Sequence, residues 1–147
     1  GAGDPRDGAR AARRLREGAQ AHHPGLARPA RLPEQTQAVV DQVTQGLKPE
    51  ERDIVTAKAF ELASEGYSVE GTTPERFAAN LTMELSEYLA TGATASPQLL
   101  DKMSALWQAA DSVLSQKPEL ENQLVGNLML SVENQLRRAG LSPTGQN

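Results

Sequence analysis

The sequence predicts an all-α protein, a compact bundle of about five helices preceded by a disordered Arg-rich N-terminal leader. Three observations carry this expectation. Proline followed by Glu or Gln recurs at Pro33-Glu34, Pro49-Glu50, Pro74-Glu75, Pro97-Gln98 and Pro118-Glu119. Glycine stands downstream at Gly46, Gly66, Gly92 and Gly140. Between these marks the apolar residues recur at helical spacing, and strand signals are nearly absent. Proline suits the first helical position, where its missing N–H has no intrahelical acceptor to lose. A carboxylate beside it complements the positive end of the helix dipole. Glycine reaches the left-handed conformation that closes a helix.

Residues 1–33 read as a flexible leader. They hold five Gly, four Pro and few large apolar side chains, too little to offset the entropy of ordering. The stretch from Asp7 to Ala21 carries Arg10, Arg13, Arg14 and Arg16 among Ala9, Ala11, Ala12 and Leu15. It is a marginal helix former, weakened by Gly8 and Gly18.

The helical domain is assigned to residues 34–140, with a flexible tail over 141–147. The first helix, 34–46, follows Pro33 and presents Val39, Val40, Val43 and, just beyond, Leu47. The second, 49–65, presents Val55, Ala59 and Leu62. The third, 74–91, has Thr73 as its N-cap and a stripe of Phe77, Leu81, Leu85, Tyr88 and Leu89. The fourth, 97–116, has Ser96 as its N-cap and the cleanest stripe: Leu99, Leu100, Met103, Leu106, Trp107, Ala110, Val113 and Leu114. The fifth, 118–139, carries Leu120, Leu124, Val125, Leu128, Val132 and Leu136. Pro118 either separates the last two helices or kinks one long helix. Short connections favour antiparallel neighbours.

Composition narrows the chemistry. The hydrophobic fraction is 38% and the aromatic fraction 3%, so the core rests on aliphatic side chains. Cysteine is absent, which excludes disulfides, thiolate metal sites and thiol catalysis in this chain. No apolar run approaches the ~20 residues of a membrane-spanning helix, and no signal peptide is visible. The net charge of −4 conceals an asymmetry. The leader has seven Arg against Asp4, Asp7 and Glu17, a net +4. Residues 34–147 have eight basic and sixteen acidic residues, a net −8. Exclusive use of Arg in the leader, with abundant Ala, Gly and Pro, suggests a GC-rich, bacterial coding sequence. The first residue is Gly1 rather than Met, which reads as a fragment or a processed product.

No nucleophile–base pair is visible, because residues 34–147 contain neither His nor Cys. No glycine-rich phosphate loop follows a strand. His22 and His23 are adjacent and lack the spacing of a metal pair, so neither a metal nor a cofactor is expected. The pairs Glu84/Glu87 and Glu61/Glu65 read as solvated helix surface rather than catalytic carboxylates. Asn80-Leu81-Thr82 matches the glycosylation pattern by chance, inside an amphipathic helix. Arg137 and Arg138 suit the negative end of the last helix.

Three apolar side chains fall off their own helix stripe: Phe60, Met83 and Leu130. Either they line a helix packed on several sides, or they form an exposed patch that marks a partner site. The expectation is a non-enzymatic helical domain that binds another protein. In layout alone, a leader plus a small helical domain resembles bacterial secreted effectors, and the domain could be a piece of one. An immunity- or chaperone-like protein is an alternative. A further alternative is nucleic-acid binding through Arg10, Arg13, Arg14 and Arg16, which the acidic domain and the absence of a stacking aromatic in the leader both disfavour.

Overall fold

In the computed structural model residues 31–140 are described, and they form five α-helices in chain order. These are α1 (Glu34–Thr44), α2 (Pro49–Ser64), α3 (Pro74–Ala90), α4 (Pro97–Leu114) and α5 (Pro118–Arg138). Every helix starts where its proline or the residue after it predicts, and each ends one or two residues before the expected boundary. No strand occurs among the described residues. Thr73 Oγ1 accepts from the Arg76 N–H at 3.1 Å, and Ser96 Oγ accepts from the Leu99 N–H at 3.1 Å, as N-caps should. Gly46, Gly66, Gly92 and Gly140 take φ of 80°, 89°, 108° and 79°, the left-handed region. Lys117, at φ −134° and ψ 72°, leaves helical geometry, so Pro118 opens a separate helix.

The bundle is organised around α3. Residues 77–86 are buried without a break, so this helix meets neighbours on all sides. It packs most extensively on α4, then on α5, and also on α2, while α1 packs on α2. The core collects Leu62 from α2, Phe77, Leu81, Leu85 and Leu89 from α3, Leu99 and Leu114 from α4, and Leu120 and Leu124 from α5. Leu32, which composition places with the leader, is also buried at 4% exposure.

Met83 belongs to this core. It is fully buried, and its sulfur lies 4.0 Å from Asn127 Nδ2 of α5. The alternative of an exposed Met83 is therefore overturned: on a helix enclosed by three others, the face opposite the first stripe is also interior. Phe60 is half-buried and packs against the core from α2. Only Leu130 is exposed, at 49%.

A polar clasp docks α1. Its N-cap position is Pro33, which has no side-chain oxygen to offer. Glu70, from the loop between α2 and α3, accepts instead from the Gln35 N–H and from the Thr36 hydroxyl, the latter at 2.7 Å. The buried Thr36 oxygen accepts in turn from the Val69 N–H at 2.9 Å. Partial burial of the Glu70 carboxyl pulls its pKa upward, but the hydrogen bonds from Thr36 and Gln35 outweigh this and hold it below its ordinary value of 4.5.

Two predictions follow from this packing. Met83→Asp buries a carboxylate in the aliphatic core and should lower Tm by more than about 10 °C, whereas Leu130→Asp should leave it within about 2 °C. Thermal melts followed by circular dichroism separate the two. The Glu70 clasp should contribute fully above pH 4.5 and weaken as pH falls through that value toward the lowered one in the fold. Glu70→Gln should remove that acid-dependent part of the melting curve and cost about 1 kcal/mol at neutral pH, the size of a lost cap.

Candidate docking surface

The buried carboxylates are engaged in holding the fold. Glu51 occupies the first position of the core line of α2, ahead of Val55, Ala59 and Leu62. Its oxygens accept from the Ser96 N–H at 2.9 Å and the Ser96 hydroxyl at 2.7 Å. The same hydroxyl caps α4, so Glu51 fixes the start of α4 through its N-cap. Glu84 lies on α3 with Lys58 Nζ at 3.6 Å. Glu133 pairs with Arg137 within α5, at 3.9 Å. Among the described residues, no three His, Cys, Asp or Glu side chains are grouped to hold a metal ion. Arg138 donates to the Gly92 carbonyl and to Thr94 Oγ1, tying the end of α5 to the loop after α3. Arg10, Arg13, Arg14 and Arg16, and the pair His22 and His23, lie outside the described residues.

Phe60, Met83 and Leu130 do not form the single exposed patch that was one of the two alternatives, since Met83 is interior and Phe60 is partly covered. The exposed apolar surface lies elsewhere. On α5 the residues turned to the core are Leu120, Leu124 and Ser131. The apolar arc continues past this line around the helix. Val125, Met129 and Val132 are 43%, 57% and 53% exposed, and Leu128 and Leu136 are half-buried beside them. At roughly 100° per residue, Leu130 stands well round α5 from this strip.

α4 completes the surface. Both α4 and α5 lean on α3, but they touch each other little. A groove of about 200 Å³ runs between them, lined by Leu100, Met103, Ser104, Trp107 and Gln108 of α4 and by Leu128 of α5. Leu100 is 42% exposed at its rim. Groove and strip share Leu128, so one continuous apolar face spans the two helices. Neither Met129 nor the groove was marked from the sequence, and Val125, Val132 and Leu100 were expected in the core. Helical periodicity identified their arc correctly, but it could not say which part of a wide arc meets α3.

No helix among the described residues is long and apolar enough to cross a membrane. No family model matches the chain, and no curated protein and no solved structure matches it either.

Asn80 departs from the general satisfaction of buried polar groups. It is fully buried on α3, and neither atom of its amide has a hydrogen-bond partner among the described residues. Burial also closes the Asn80-Leu81-Thr82 sequence to a glycosylating enzyme in the folded chain. An unpaired buried amide costs about 1–3 kcal/mol. Asn80→Leu, close in volume and free of polar atoms, should therefore raise Tm by several degrees; an unchanged or lower Tm would show that the amide is paired in solution.

Proposed function

We propose that this chain is a non-enzymatic protein-interaction domain whose docking surface is the apolar face shared by α4 and α5. The observation that carries the reading is the strip Val125, Met129 and Val132, left in water beside an apolar groove. Burying a side chain of this size contributes about 1.5–3 kcal/mol. A contiguous face of such residues marks a partner surface more readily than single exposed apolar residues do. A methionine at its centre adapts to the shape of what it meets. The engagement of Glu51, Glu70 and Glu84 in capping and ion pairing supports a role without catalysis. In layout, an Arg-rich N-terminal stretch followed by a small helical domain resembles bacterial secreted effectors, the class of protein-binding chain we favour. The acidic charge of residues 34–147 weighs against a nucleic acid as the partner.

A photo-cross-linking residue introduced at Met129 tests this in the cells that make the chain. It should yield a discrete protein adduct, and the same residue at the exposed Asp53 of α2 should not. Equal labelling from both positions, or none from Met129, would sink the reading.

A further inference from the structure

We infer that the face on α5 is closed by a second copy of the same chain, docked with the two α5 helices antiparallel. This rests on the docking reading above and names its occupant. Val125, Met129, Val132 and Leu136 follow one another at intervals of four, three and four residues. That is the spacing of a two-helix seam, in which alternating positions form the layers between the helices. Run antiparallel about a point between Leu130 and Ser131, the strip is complementary to itself. Val125 of one copy meets Leu136 of the other, and Met129 meets Val132. Every layer is apolar on both sides, as a closed two-fold interface requires.

The flanks agree with this arrangement. Gly126 and Glu133 border the strip on one side, and Leu128 and Gln135 on the other. In an antiparallel pair like flanks face each other, so Glu133 stands opposite Gly126 and Leu128 opposite Gln135. No like charges meet, and Glu133 already has Arg137 beside it. The two ends of α5 have opposite character, with Glu119 and Glu121 in the first turn and Arg137 and Arg138 in the last. An antiparallel pair brings acidic end to basic end and opposes the helix dipoles. A parallel pair would set each end against its own charge.

Gly126 is the independent observation. A glycine inside a helix destabilises it relative to alanine. Among the described residues nothing lies within 4 Å of where its Cβ would be, so their packing gives no reason for it. At the edge of the seam, the missing side chain gives room for Glu133 and for the backbone of a second helix. The contact is one helix pair widened by Leu100 and Trp107 at the groove. A contact of this kind belongs at the small end of specific interfaces, below about 1,200 Å², the range of weak and reversible complexes.

Sedimentation equilibrium of the full chain, from low micromolar to submillimolar concentration, should show a reversible monomer–dimer equilibrium. Met129→Asp should be monomeric throughout while keeping the helical spectrum and Tm of the native monomer. A native chain that stays monomeric over the whole range overturns the proposal. Orientation is read by cross-linking, since the chain contains no cysteine of its own. Mixed Val125→Cys and Leu136→Cys chains should oxidise mainly to the 125–136 heterodimer; predominance of 125–125 and 136–136 links overturns the antiparallel register. The Met129 photo-adduct distinguishes the two levels of the argument. An adduct with a different protein, from a chain that is monomeric, removes the second copy and leaves the docking surface. The absence of any adduct removes the docking surface itself.

Discussion

The structure depends on enclosing one helix. The uninterrupted burial of residues 77–86 means that α3 has no solvent face over almost three turns. Such a helix must find partners inside the protein for its polar side chains, Asn80 being left without one among the described residues, and must admit neighbours at close range. Thr82 and Ser86 return their hydroxyls to the carbonyls of Ala78 and Met83, each at 2.7 Å. Ala78 and Ala79 keep its surface low where other helices cross. Once α2, α4 and α5 have taken their places around it, their inward lines are fixed. What remains apolar on their outer sides has no partner among the described residues.

Much of this architecture was legible in the sequence, because the signals are local. Proline at the first helical position, Thr73 and Ser96 as caps, and glycine at the closures act within one turn of where they stand. They located five helix starts and four closures. The inward lines of α1, α2 and α5 were harder to read, since each passes through a polar residue. Thr36, Glu51 and Ser131 are all buried. Their partners, Val69, Glu70 and Ser96 for the first two, are tens of residues away, and no local pattern announces such a pairing. The docking face was hidden by the same limitation. Val125 and Val132 belong to the apolar arc of α5, but contact with α3 is made by the edge of that arc that carries Leu120, Leu124 and Ser131. Met83 shows the converse case. Opposite the obvious stripe it fitted either a helix packed on several sides or an exposed patch, and its burial decides for the first, because a central helix has no outside.

The polar contacts also explain why an apolar strip on α5 is suited to recognition. α5 is anchored along its length. Leu120 and Leu124 insert beside α3 near its start. Asn127 Nδ2 donates to Ser86 Oγ at 3.0 Å in its middle. Arg138 bonds the loop after α3 at its end. The strip is therefore presented on a helix whose position and rotation are already set, so a partner has little backbone to order on binding. Fixed rotation also fixes which residues are offered. Turning α5 by one position would bury Val125 or Val132 and expose Leu124. The interactions that hold the core thus decide the composition of the exposed face, and the surplus of apolar residues on α5 becomes a defined surface.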